Sequence, residues 1–215
     1  IITDAPTAAQ FKVINDATTG SITLLDATGA LSGTASVVVD ALAGITTYAG
    51  TITVSDAATI AQLTTIDGIA SGTLFYSSVT DTANNLATNT GGYVKTDKTV
   101  TIDNGSTATL AQLVTINAAT SGAITLGTNT IAANYSGSAA DLENAFAGIA
   151  DGTHTGTLTA TGATTVTQAN KFDAVSTGVV TATIADDATS LATLTGTTGA
   201  YTLNFDNDDA ASLVE

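Results

Sequence analysis

Between Thr59 and Ser71 the apolar residues Ile60, Leu63, Ile66 and Ile69 return every third position. That spacing puts them on one side of a short helix. After Gly72 the pattern changes to the near-alternation of "TLFYSSVTD" (Thr73–Asp81), which predicts a strand with one face inward and one wet. The same switch from helical stripe to glycine to strand occurs four times. The fourteen-residue helical phrases are "TAAQFKVINDATTG" (Thr7–Gly20), "TIAQLTTIDGIASG" (Thr59–Gly72), "TLAQLVTINAATSG" (Thr109–Gly122) and "TVTQANKFDAVSTG" (Thr165–Gly178). They align without a gap, and their closing glycines stand 52, 50 and 56 residues apart. The runs after the other three glycines, "SITLLD" (Ser21–Asp26), "AITL" (Ala123–Leu126) and "VVTATIADD" (Val179–Asp187), are further predicted strands.

The intervening stretches Val37–Asp56, Ala83–Asp103, Ala139–Gly162 and Ala188–Asp206 read as weaker copies of the same phrase. Halving the repeat leaves one strand and one short helix in about 25 residues, a period typical of helix-containing solenoids. The expected fold is therefore a β-rich α/β repeat solenoid. It forms one continuous array over 1–215, with approximate repeats 5–56, 57–106, 107–162 and 163–210. Ile1–Asp4 reads as the end of a strand and Asp208–Glu215 as the start of a helix, so the array is expected to be open at both ends. The alternative is a set of tandem β-sandwich domains of the adhesin type, which also use Thr-rich strands and acidic loops.

Aligned columns assign roles. A leading Thr fits a helix N-cap and the final Gly a C-cap with positive φ. The bulky positions Ile14, Leu63, Ile66, Leu113, Ile116 and Phe172 are expected in the core. One column is always Gln (Gln10, Gln62, Gln112, Gln168), which fits a side-chain ladder between units or a solvated position. Another alternates amide and acid: Asn15, Asp67, Asn117, Asp173.

Composition narrows the function. Hydrophobic residues make up 44%, but aromatics only 5%, which suits many thin layers better than one deep core. Four Lys or Arg against 19 Asp or Glu give a net charge of −15. That argues against nucleic acid and anionic membrane surfaces as partners, and no apolar run reaches the ~18 residues needed to cross a bilayer. With no Cys, thiolate metal sites are excluded.

The candidate chemistry is acidic. Asp4, Asp26, Asp56, Asp81, Asp103, Asp186 with Asp187, and Asp206 to Asp209 share the strand-to-helix junction. Carboxylates there cap helices, and where several converge they bind calcium, which needs many oxygen ligands. The calcium candidates are Asp206, Asn207, Asp208 and Asp209, with Asp186 and Asp187. The EF-hand spacing and the glycine-rich calcium nonapeptide are both missing. Thr-x-Thr runs such as Thr155–Thr167 match exposed strand faces, and also carbohydrate- or ice-binding arrays. Asn104–Ser106 and Asn134–Ser136 match the N-glycosylation triplet. His154, the only His, reads as a solvated loop residue, and no GxSxG elbow accompanies it.

Asp56–Val94 and Ser176–Leu203 resemble repeats in very large secreted proteins of cyanobacteria and related bacteria. These are of the hemolysin-like, adhesin or surface-layer type. The resemblance implies an extracellular or cell-surface scaffold. The expectation is a non-catalytic protein whose partners are copies of itself, end-to-end or lateral, and cell-surface polysaccharide, with calcium as the one candidate cofactor. The competing expectations are a stalk segment of a giant adhesin and a carbohydrate- or ice-binding array.

Overall fold

The computed structural model describes residues 6–196 and 199–205. Asp4, Asp206, Asn207, Asp208 and Asp209, with the segments Ile1–Asp4 and Asp208–Glu215, lie outside the described residues.

The four aligned phrases are helices: α1 (Ala8–Asp16), α3 (Ile60–Ile69), α5 (Leu110–Ala119) and α8 (Val166–Val175). Between them lie α2 (Ala35–Leu42), α4 (Ala83–Thr88), α6 (Thr128–Ile131) and α7 (Ala139–Phe146), followed by α9 (Ala188–Leu191). The strands are β1 (Leu31–Gly33), β2 (Ile52–Val54), β3 (Leu74–Phe75), β4 (Ser78–Asp81), β5 (Thr99–Ile102), β6 (Ile124–Thr125), β7 (Tyr135–Ser138), β8 (Leu158–Thr164), β9 (Val180–Asp186) and β10 (Ala200–Phe205).

The strands do not form the one continuous ladder that the solenoid reading requires. Among the described residues they fall into three small parallel sheets, ordered β1-β2-β3, β4-β5-β6 and β10-β9-β8-β7, a mixed α/β fold. The breaks have a local cause. β3 is two residues long, and β4 begins three residues after it in a different sheet; β6 is again only two residues. Strands that short hold too few hydrogen bonds to carry one ladder through the chain. The predicted strand Ser21–Asp26 is reduced to an isolated bridge residue at Leu24. The sandwich alternative fails as well, since every strand pair among the described residues is parallel.

The core is one apolar cluster running from Ala8 to Ile184. Leu63, Ile66, Leu113 and Ile116 are fully buried and Phe172 nearly so. Each such side chain contributes roughly 1.5–3 kcal/mol. Two columns share the work: Phe11, Leu63, Leu113 and Ala169 precede the bulky column by three residues, and all four are 0% exposed. Where Ala169 shrinks one column, Phe172 enlarges the other, keeping the filled volume roughly constant. Ile14 departs from expectation: it is 36% exposed, and Phe11 anchors α1 instead.

The closing glycines are not C-caps. The cap residues are Ala17, Ala70, Thr120 and Ser176, and none of these glycines has a positive φ. Their role is close approach: a Cβ on Gly72, Gly122 or Gly178 would run into the backbone carbonyl of Gly50, Lys98 or Gly156 respectively.

Candidate functional site

The strand-to-helix junctions concentrate the polar side chains, and their geometry shows what each column does. At all four aligned helices the Thr hydroxyl accepts from the N3 backbone N–H. The Gln there turns back so that its Oε1 accepts from the Thr backbone N–H, at 2.8, 2.9, 2.9 and 3.1 Å. This is a complete capping box on α1, α3, α5 and α8. The Gln column is thus a local cap and not a ladder between units.

The junction acids satisfy a different donor. Asp56 Oδ1 accepts from Ala35 N at 2.7 Å, Asp81 Oδ2 from Ile60 N at 3.1 Å and Asp186 Oδ2 from Val166 N at 3.4 Å. In each case the carboxylate reaches back about twenty residues, to the first residue of the preceding helix. The other oxygen of Asp81 and of Asp186 accepts from the next residue's own N–H, Thr82 at 2.8 Å and Asp187 at 3.1 Å. Ser106 does the same from a neutral side chain, accepting from Ala83 N at 3.1 Å, while Thr130 accepts from Ala108 N, just before the cap of α5, at 3.1 Å. The starts of α2, α3, α4 and α8 therefore have their N–H groups divided between their own Thr and a side chain from a later segment. Because Ser106 takes this role, Asp103 Oδ1 is left without a protein hydrogen-bond partner. Asp26 makes only a local turn, accepting from Thr28 N at 2.8 Å.

Of the calcium candidates, Asp186 is engaged as above. Asp187 caps α9, accepting from Ser190 N at 2.7 Å, and that backbone bond holds its carboxyl below the ordinary range. Among the described residues no three His, Asp or Glu side chains converge as a metal site. Nor is any helix there long and apolar enough to cross a membrane.

The amide/acid column follows hydrogen-bond chemistry. Asn15 and Asn117 donate through Nδ2 to the helix carbonyls of Asp40 and Asn144, at 3.1 and 2.6 Å. Asp67 cannot donate and instead accepts from the Tyr93 hydroxyl at 3.2 Å. At these three positions amide or acid is matched to what the neighbouring segment offers, whereas the buried Asp173 Oδ1 has no hydrogen-bond partner among the described residues.

The Thr strand faces are partly in register, as in Ser136↔Thr159↔Thr181, but the row is interrupted between Thr159 and Ala163, where Gly162 has φ +86°. The amide carbons of both glycosylation-triplet asparagines sit on exposed residues, with Asn104 accepting from Thr128 N at 3.0 Å and Asn134 from Thr157 N at 2.9 Å. A cleft of about 680 Å³ lies between α7 and α8, lined by Phe146, Phe172 and Val175 with Glu143, Lys171 and Asp151. Glu143 is bonded to Lys171 and Gln168, and the Lys171 bond first of all lowers its pKa.

His154 is not solvated. It is 0% exposed, packed against Tyr135 and Phe146 with ring centroids 5.5 and 5.0 Å away. Its Nε2 lies 2.9 Å from the Ala133 carbonyl and its Nδ1 3.0 Å from Ser176 Oγ. Burial lowers its pKa, against a smaller opposing effect of the Ala133 carbonyl. Sequence reading missed this site because Gly and Thr flank His154 on both sides. Only its neighbours from β7, α7 and the end of α8 close over it.

Comparison with protein-family models, with curated proteins and with solved structures finds no match.

Proposed function

We propose that this protein is a non-catalytic structural component of the cell surface or extracellular space, self-assembling into a filament or surface layer. The observation that carries this reading is the destination of the repeated polar residues. The Thr, Gln, Asn and strand-end Asp columns are spent on helix starts and on bonds to neighbouring segments, which is scaffold work. Association is supported by apolar side chains left at the surface. On α1, Val13 and Ile14 are 68% and 36% exposed, whereas the equivalents of Ile14 are covered. Leu25 and Phe75 are also more than half exposed. Copies of the chain are the proposed partner.

Electron microscopy of the purified chain, in calcium and then in EGTA, tests the reading. Filaments or sheets are the expected result. Their dissolution by EGTA would add calcium to the proposal as a cement between acidic surfaces. Single particles at every concentration and ion condition would overturn self-assembly and favour a stalk segment of a larger adhesin.

A further inference from the structure

The hydrogen-bond donors and acceptors around His154 do not balance while its ring is neutral. The Ala133 carbonyl can only accept, so Nε2 must carry a hydrogen. In the neutral ring Nδ1 is then an acceptor facing Ser176 Oγ. Ser176 has one hydroxyl hydrogen and two claimants for it: Nδ1 at 3.0 Å and the Gly156 carbonyl at 3.0 Å. Its Oγ also accepts from Gly178 N at 3.1 Å. The aligned site two residues before Gly122 shows where that hydrogen goes without a histidine. There Thr120 donates to the Lys98 carbonyl at 2.5 Å and accepts from Gly122 N at 2.9 Å. The neutral cluster is therefore one hydrogen short.

A second proton on the ring would fill the gap, with Nδ1 donating to Ser176 Oγ. It would also place a full charge in a dry site. The titratable group against the ring is Tyr135, whose hydroxyl donates to the Ala108 carbonyl at 2.9 Å and whose pKa burial pushes up to about 12. On α7, Asp141 is bonded to Ser138 and Glu143 to Lys171. On α8, Lys171 is so engaged, and Asp173 makes no bond to the ring; Asp151 lies exposed in the loop between α7 and β8. Among the described residues no counter-charge is bonded to His154. Losing the hydration of a charge outweighs gaining one hydrogen bond, so the closed site excludes the proton.

We propose that the His154–Ser176 contact is a proton-sensitive latch that opens the β7–β8–β9 region in mild acid. His154 bridges three segments: its ring reaches Ala133 and Ser176, and its backbone N–H donates to the Val175 carbonyl at 3.1 Å while its carbonyl accepts from Thr177 N at 2.8 Å. An opened site takes up a proton that the closed one refuses. Its population therefore rises as pH falls below about 6.5, the ordinary imidazole value, by up to tenfold per pH unit.

The test is unusually clean because His154 is the only histidine. In the intact chain, NMR follows the single imidazole and the exchange of the Thr177 and His154 amides between pH 7.5 and 5. The expected result is an Nε2–H tautomer, a midpoint below 6.5 and exchange that accelerates, after correction for intrinsic rates, as pH falls. His154→Phe should flatten that dependence. A midpoint at or above 6.5, or corrected exchange independent of pH, overturns the latch. The imidazole titration decides the matter even if the variant fails to fold.

Discussion

Two glycine-to-alanine changes should move stability in opposite directions. Gly178 follows α8, and a Cβ there would collide with the Gly156 carbonyl oxygen and lie 2.6 Å from its carbon and 2.7 Å from the Thr155 oxygen. These are backbone atoms and cannot rotate away. To admit the methyl, the two segments must separate, stretching Thr177 N to His154 O at 2.8 Å and Leu158 N to Val179 O at 3.0 Å. Overpacking of this kind costs roughly 1–3 kcal/mol, and each buried hydrogen bond broken adds about 1–3 kcal/mol. With one of the two bonds lost, Gly178→Ala should therefore cost about 2–6 kcal/mol. Gly68 lies inside α3, where an added Cβ meets nothing within 4 Å. There alanine removes backbone freedom from the unfolded chain and should stabilise by roughly 0.5–1 kcal/mol. At about 2–4 °C per kcal/mol for a chain of this size, the two variants should bracket wild type in a thermal melt followed by circular dichroism. A Gly178→Ala protein as stable as wild type would refute the close-approach account of the glycine column.

Thr164 is 1% exposed and its hydroxyl has no partner, so Thr164→Val should be neutral or stabilising by about 1 kcal/mol in urea denaturation. A loss above that would mean the hydroxyl is bonded. Asp81→Ala removes the acceptor for Ile60 N, Thr82 N and the Asn85 amide, and should cost about 1–3 kcal/mol by the same assay, more than Asp26→Ala, whose bonds are local and exposed. Ile66→Asp places an unpaired charge at a fully buried position and should abolish the cooperative transition; an unchanged melting temperature would remove Ile66 from the core.

Local hydrogen-bond chemistry was the most legible part. Thr59 and Gln62 are three residues apart and precede an apolar run, which is a helix start whatever surrounds it. The role of the Gln was nevertheless misread, because a column repeated four times invites a ladder, although the partner is only three residues away. The strand-end acids were legible as caps, but not the fact that they cap the preceding helix. That bond joins residues 20 or 21 apart and depends on how the strands register.

By itself, the sequence determined what depends on near neighbours: four helices, their Thr caps, and the apolar stripes through Leu63, Ile66, Leu113 and Ile116. It also determined the acidic balance, a net charge of −15. Tertiary structure alone decided that the strands split into three parallel sheets, that Gly178 is there for the Gly156 carbonyl, and that His154 is buried against Ser176. The physical reason is range. Helical capping and amphipathic spacing act within a few residues. Strand pairing, close backbone approach and desolvation of a side chain depend on partners more than twenty residues away, whose positions no local pattern encodes.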